Sequence, residues 1–526
     1  MTYVADRPVR VMLIGYGPVG ARFVEELLPS VAAGSIELCV AGAENEDAYN
    51  RVLVAEYAAG GADRRRLDIT DTEAARAAGV RILIGEAVVG VDRMRQRVVL
   101  DSGAELPYDR LVFATGARAN IPTLDGLARS RRDRREPPRS TDVDEGAEPL
   151  PRGVVAMRDL RDAETAAAVV GAGGSIVVLG AGVLGMEFAL AAREHGAQVV
   201  LVHHGDIPMA RNLDDHGGRM LSRAVRDVGV GIAAHSRAEG ILLRHTDGGR
   251  RFDALLCADG KQIPGDLLVI SCGVSARTEL AVASGLACSA GILVDHHLRS
   301  WGDPDIFAIG DCAQIASPDD ADATGRVPGA PSGLIGPGWR QATALARNLA
   351  AEAVGQPAFD GETPPSERPA VVMLKADGID VVSGGEHETQ PWADDDADVS
   401  LWIDPARGAY LKTVARGGLL TGFVSVGLPR VGAEVTLLFE RGSELPSDPS
   451  ALLRLDAPTR DSASTADPLA PDATVCWCNG VSVERITDAA RAGSDTVECV
   501  GRDTRAGTGC GGCKGRIAEV LASLAG

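Results

Sequence analysis

Four cysteines near the C-terminal end, Cys476-x-Cys478 and Cys510-x-x-Cys513, carry the most chemical information in this chain of 526 residues. Two close pairs of thiolates, brought together across an intervening segment, supply the four soft ligands of a [2Fe–2S] cluster. Zinc is the strongest rival. Structural zinc sites, however, use C-x2–4-C pairs at both ends, and Cys476-x-Cys478 is tighter. A disulfide is disfavoured in a reducing compartment. The flanking Gly507, Gly509, Gly511 and Gly512 leave backbone N–H groups free to approach cluster sulfides. The other cysteines (Cys39, Cys257, Cys272, Cys288, Cys312 and Cys499) sit in apolar or strand-like contexts and are expected to be buried core thiols.

Upstream are two glycine fingerprints, Gly15-x-Gly17-x-x-Gly20 and Gly180-x-Gly182-x-x-Gly185. Each follows an apolar run and opens a helical pattern, the context that dinucleotide binding requires. The first glycine makes the tight turn and the second lets backbone approach a pyrophosphate. The third permits close helix–strand packing, while the helix N-terminus stabilises phosphate charge. One fingerprint is weak evidence; two in one chain are much stronger. A ribose-binding carboxylate is expected about 20 residues on. Glu44 holds that place in the first unit, with Glu46 and Asp47 as competitors. In the second unit the place is held by His203, followed by His204, with no carboxylate, so NADH versus NADPH stays open. A solvent-facing strand end is the competing reading of His203. Two nucleotide sites and one iron–sulfur site describe an electron-transfer device: hydride pairs from a nicotinamide, divided at a flavin and exported singly.

The elements that must position these groups read as α/β. Val9–Ile14 is a predicted strand, 21–28 a helix and 36–40 a second strand. Residues 111–116 form a strand ending in a turn, 176–179 a strand, 186–195 a helix and 198–202 another strand. A late strand at 306–309 ends in Gly310-Asp311. From about 371 to 438 the pattern is strand-rich, and Gly417-Gly418 marks a hairpin. Residues 128–150, 316–332 and 458–474 are polar, Pro-bearing or loop-like.

At this length several domains are expected. Hydrophobic residues make up 45%, enough for ordinary globular cores. No 18-residue apolar span appears, and MTYVADRPVRVMLIGYG runs into a strand without a secretory-type leader, so the expected location is cytoplasmic. Basic residues number 53 and acidic residues 73, a net charge of −20 that disfavours nucleic acid or anionic membrane as partners.

Ala114-Thr115-Gly116, the second fingerprint with Glu187 two residues after it, and Ile306-Phe307-Ala308-Ile309-Gly310-Asp311 resemble flavin-dependent pyridine-nucleotide oxidoreductases. That resemblance implies that Asp311 binds the ribityl chain of FAD. Ala48-Tyr49-Asn50-Arg51, Gly333 to Trp339, Leu374 to Val381 and the cysteine module look like two relatives in particular. These are the N-terminal part of the large subunit of NAD(P)H-dependent assimilatory nitrite reductases and the electron-transfer subunit of bacterial assimilatory nitrate reductases. The terminal module resembles bacterioferritin-associated ferredoxin.

The resemblance implies two Rossmann-like domains, a small α/β interface domain and a small C-terminal [2Fe–2S] module. The FAD domain is expected at 8–125 and 264–355, the NAD(P)H domain at 150–263, the interface domain at 365–455 and the cluster module at 472–526. Arg51, Thr115, Gly116, Glu187 and Gly310 join the fingerprint residues as expected cofactor contacts. No catalytic acid or base is expected, since the cofactors carry the chemistry.

Two departures matter. Residues 42–57 contain none of the redox cysteines of disulfide reductases, so thiol chemistry at the flavin is not expected. The chain also stops at Gly526 without a sirohaem and [4Fe–4S] half, so it is not expected to reduce nitrite unaided. The implied acceptor is a nitrate reductase catalytic subunit or a nitrite reductase. Other readings are a reductase for a ferredoxin, rubredoxin or oxygenase component, or a module that docks on an iron-storage protein and releases its iron.

Overall fold

A computed structural model describes residues 7–127, 150–247, 249–322, 326–357, 371–376, 378–456, 469–476, 479–509 and 512–525. The expected inserts at 128–150 and 458–474 fall largely outside them, as do Cys478 and Cys510.

The apolar runs form the parallel centres of two sheets, the first of which also carries antiparallel pairings at Arg299–Ser300. In the first, Val9–Ile14 lies between Ile36–Gly42 and Arg110–Phe113, all parallel. Arg81–Ile84 extends one side, and Asp303–Ala308, Arg299–Ser300, Ile292–Val294 and Ala313–Ile315 extend the other. Chain from beyond residue 290 thus completes a sheet begun at residue 9. Its central strands are mostly apolar, with Arg10, Glu37 and Arg110 falling near their starts, as strands covered on both faces require. The second sheet is wholly parallel, in the order Gly231–Ala233, Gln198–Val202, Ser175–Leu179, Leu267–Ile270 and Val154–Val155.

Each of these two sheets is accompanied by a three-stranded antiparallel meander, at residues 88–107 and 238–264. Leu267–Ile270 pairs with Ser175–Leu179, so the second sheet runs past the expected boundary at 263/264. The chain returns only after Cys272, where Val274–Ala276 pairs with Ala117–Ala119.

The helices start earlier than the sequence patterns suggest. The first spans Pro18–Ala32 and the second Val183–Glu194, each with the middle fingerprint glycine as its N-cap. Pro18 supplies a preset φ at the first helical position. The strand-rich region folds as an antiparallel five-stranded sheet in the order Val372–Ala376, Ile379–Gly385, Leu419–Val426, Ala409–Arg416 and Asp398–Asp404. Helix Pro429–Arg441 packs on it, and Gly417-Gly418 turns the expected hairpin. At the C-terminal end, the short hairpin of Thr474–Cys476 and Val481–Ser482 precedes helices Val483–Arg491, Val497–Thr504 and Lys514–Ala525. No described helix is long and apolar enough to cross a membrane.

One surface clamp holds the first strand. Asp109 accepts hydrogen bonds from Arg7 at 2.8 and 2.9 Å, and from Arg10 through its guanidinium at 2.7 Å and its backbone N–H at 2.8 Å. Desolvation alone would raise the Asp109 pKa; the bonds from Arg10 and Arg7 outweigh it and hold the carboxyl far below its ordinary 3.8. A depressed folded-state pKa stabilises above the unfolded value and is lost as pH falls below it. Asp109→Asn is therefore expected to cost about 1–3 kcal/mol at pH 7. In urea titrations the difference from the parent protein should shrink steadily below about pH 4.

Candidate functional site

The two fingerprint turns are built alike. Gly15 has φ +107°, and a Cβ there would lie 2.3 Å from the Ala114 carbonyl oxygen. Gly180 has φ +112°, with the Ser271 oxygen at 2.2 Å from the same construction. Both turns demand glycine for two independent reasons. A Cβ on either third glycine, Gly20 or Gly185, would lie 2.4 Å from the carbonyl oxygen of the first.

The middle glycines differ. A Cβ on Gly17 would meet nothing nearer than the Arg51 Nε at 3.9 Å, and one on Gly182 would meet nothing within 4 Å. Protein thus fixes the first and third positions, while the second faces open space over a helix N-terminus. That cradle fits a pyrophosphate.

Both middle glycines open on one cleft of about 2590 Å³. Glu44, Arg51, Thr115, Gly116, Gly310 and Asp311 line it on the first unit's side, and Glu187 on the second. Glu44 accepts from the Tyr49 hydroxyl at 2.9 Å and pairs with the Arg51 guanidinium. Arg51 also lies over the Tyr49 ring, 4.8 Å from its centroid, and donates to the Arg158 carbonyl at 3.0 Å. Burial disfavours the Arg51 charge, but Glu44 outweighs it and the guanidinium stays cationic. Thr115 donates to the Arg277 carbonyl at 2.9 Å, and the Gly310 N–H donates to Gln341 at 2.8 Å.

Asp311 pairs with Arg158 at 3.2 Å, and Arg158 also reaches the Ala117 carbonyl at 3.1 Å. Sequence reading did not single out Arg158. A lone arginine 153 positions from its carboxylate leaves no local signal.

His203 does not line this cleft. It is buried at the end of Gln198–Val202, and its Nε2 has no hydrogen-bond partner among the described residues. Burial, then the neighbouring His204 and His235, lower its pKa. A solvent-facing strand end is therefore not what His203 is.

The cysteine module reaches the same cleft. Cys476 and Cys513 both line it, with Asn479, Gly480, Gly512 and Arg516. A hydrogen bond from the Cys513 thiol, opposed by burial and aided by the Gly507 and Asn479 N–H groups, holds Cys476 at about 6. A thiol already inclined to ionise and surrounded by backbone donors suits a soft metal ligand. Cys478 and Cys510 lie outside the described residues. Of the other cysteines, Cys257 and Cys312 are buried as expected, but Cys39, Cys288 and Cys499 are only partly covered. Cys272 is exposed, because it sits in the loop where the chain leaves the second sheet.

These placements give opposite outcomes for two substitutions. Gly17→Val would fill the first cradle and is expected to yield protein lacking flavin absorbance. Gly182→Val is expected to keep the yellow colour and lose bleaching by NAD(P)H. Each effect is expected to be nearly complete. Reversed phenotypes would exchange the two sites.

The family described as pyridine nucleotide-disulphide oxidoreductase matches residues 9–332, and the BFD-like [2Fe-2S] binding domain matches 474–523. A nitrite reductase [NAD(P)H] of Bacillus subtilis (strain 168) is 27% identical over 97% of this chain. The assimilatory nitrate reductase electron transfer subunit of the same organism is likewise 27% identical over 97%. The chain spans only 57% and 59% of the lengths of these two relatives. The biphenyl dioxygenase system ferredoxin–NAD(+) reductase component of Paraburkholderia xenovorans (strain LB400) is 30% identical over 58% of this chain and 67% of its own length. Among solved structures, the covalent putidaredoxin reductase–putidaredoxin complex superposes with a TM-score of 0.65 at 23% identity. It covers 85% of this chain and 96% of the other.

Proposed function

The chain belongs to the pyridine nucleotide-disulphide oxidoreductase family, and from that premise we propose that it carries electrons from NAD(P)H through FAD and a [2Fe–2S] cluster to an assimilatory nitrate or nitrite reductase. One observation carries the reading: a single cleft is lined by both open fingerprint glycines, by Glu187 and Asp311, and by two cysteines of the terminal module. When bound, the flavin accepts the hydride pair and the cluster hands electrons on singly.

The chain's own groups bind and orient. Gly15, Gly17 and Gly20 hold the FAD pyrophosphate, and Gly180, Gly182 and Gly185 that of the nicotinamide dinucleotide. Glu44, aimed by Tyr49 and Arg51, takes the adenosine ribose of FAD. Asp311, steadied by Arg158, takes the ribityl chain, with Thr115, Gly116 and Gly310 forming the surrounding turns. Glu187 borders the nicotinamide. His203 stands behind the second site as a neutral imidazole, where it adds no cationic charge for a 2′-phosphate. Cys476, Cys478, Cys510 and Cys513 ligate the cluster.

In domain terms, the FAD unit comprises 8–125 and most of 264–355, and the NAD(P)H unit comprises 150–263 with Leu267–Ile270. An interface unit follows at 365–455 and the cluster module at 472–526. The protein acts in the cytoplasm.

Matches that extend over 97% of the chain carry nitrate or nitrite reductase names, whereas the dioxygenase-system reductase matches over 58%. This favours the nitrogen-oxide reductase as acceptor over a ferredoxin or oxygenase component. The test is reconstitution of the holoprotein with each acceptor in turn. NAD(P)H consumption that depends on nitrate and a molybdopterin nitrate reductase subunit, or on nitrite and a nitrite reductase, is expected. Consumption supported only by a ferredoxin or rubredoxin would overturn the choice.

A further inference from the structure

The contacts that hold the cysteine module against the first nucleotide unit have a pattern of their own. Helix Val497–Thr504 ends at Arg505, whose φ of 66° lies in the left-handed region where glycine is the usual residue. An arginine there accepts a backbone strain that glycine would avoid. Its guanidinium spans two adjacent carboxylates of helix Pro18–Ala32, with Nη1 3.4 Å from Glu25 and Nη2 3.3 Å from Glu26. All three side chains are at least partly covered, Glu26 being only 17% exposed. Arg22 pairs with Glu26 at 3.2 Å, and Thr343 donates to it at 3.3 Å, so Glu26 is itself held in place.

The backbone of Arg505 is tied to the metal site. The Asn479 side chain donates to the Arg505 carbonyl at 2.8 Å, and the same nitrogen lies 3.8 Å from the Cys476 sulfur. A second contact falls next to the other cysteine pair in sequence: Asn50, adjacent to Arg51 in the flavin site, donates to the carbonyl of Gly509. The first unit therefore grips the module at residues linked to both halves of the cysteine quartet.

We propose that Arg505, received by Glu25 and Glu26 and seconded by Asn50 on Gly509, is the latch that seats the cluster module over the flavin cleft for internal electron transfer. The electron-transfer part rests on the function proposed above; the docking contact does not. Arginine at this glycine-type position gives the latch the fork that it needs. A latch of partly exposed ion pairs is sensitive to salt, so it can open for a partner.

The test separates contact from chemistry. In the full-length holoprotein, Arg505→Lys treated with a zero-length carbodiimide is expected to give a peptide joining residue 505 to Glu25 or Glu26 by mass spectrometry. Arg505→Gly relieves the backbone and is expected to leave iron and sulfide content and melting of the module unchanged or improved. It is nevertheless expected to slow the flavin-to-cluster step about tenfold in rapid mixing, with hydride transfer unaffected. The triple exchange Arg505→Glu, Glu25→Arg, Glu26→Arg is expected to recover part of that loss.

An absent cross-link together with an unslowed Arg505→Gly protein would overturn the latch. Normal cross-linking in protein without acid-labile sulfide would sustain the docking contact and sink the cluster reading instead.

Discussion

Protein carrying Cys476→Ser is expected to lose its iron and acid-labile sulfide together, from roughly two of each per chain, the content of one [2Fe–2S] cluster. Cys476 is buried, hydrogen-bonded to the Cys513 thiol and inclined to ionise. Serine at that position offers a hard hydroxyl that stays protonated where the thiol would not. Loss of flavin is not expected, since the fingerprint of the first unit lies on separate elements. Deleting 472–526 is expected to have the same selectivity on a larger scale. Bleaching of flavin by NAD(P)H and reduction of small dyes that accept directly from it survive, while transfer to the protein acceptor falls to background. Stoichiometric zinc without sulfide in the parent protein would overturn the metal assignment. Unchanged transfer to the acceptor after the deletion would leave the module without a relay role.

What the sequence made legible is local in origin. The turns at Gly15 and Gly180 announce themselves because a strand, three glycines and the start of a helix sit within twelve residues, and the first and third glycines each answer to a contact inside that span or one strand away. The cysteine pairs are legible for the same reason. What stayed hidden depends on residues far apart in the chain. Arg158 meets Asp311 across 153 positions, and Arg505 meets Glu26 across 479. Neither partner carries a mark of its role in its own neighbourhood.

His203 shows the limit from another side. Its offset from the second fingerprint is right for a ribose contact, but offset does not report which way a strand end faces, and this one faces inward. The return of chain to the second sheet at Leu267–Ile270 was missed because an apolar run of four reads alike in either sheet.

Lys412 is the largest of these hidden features, and Lys412→Met is expected to destabilise the protein by about 3–5 kcal/mol. In AYLKTVAR a lysine reads as the solvated side of a strand, yet Lys412 is 0% exposed. Its Nζ donates to Asp214 at 3.2 Å and to the His387 carbonyl at 2.7 Å. Asp214 caps the helix Asp215–Asp227 through the Gly217 N–H at 3.0 Å and also accepts from the Tyr410 hydroxyl at 2.6 Å. Burial, then the bond to Asp214 and its charge, push Tyr410 far above its ordinary pKa, so it remains a donor. The cluster therefore joins a helix of the second nucleotide unit to the five-stranded sheet with every charge matched.

Methionine keeps the volume of Lys412 and removes the only cation on Asp214 among the described contacts, leaving a carboxylate buried without its counter-charge. Adding Asp214→Asn removes that charge while retaining a good helix cap. The double variant is expected to return to within about 1 kcal/mol of the parent in urea titrations at saturating FAD. Flavin must be held constant, because ligand binding to the native state shifts every midpoint. A double variant as unstable as Lys412→Met would show that packing, not the uncompensated charge, sets the cost.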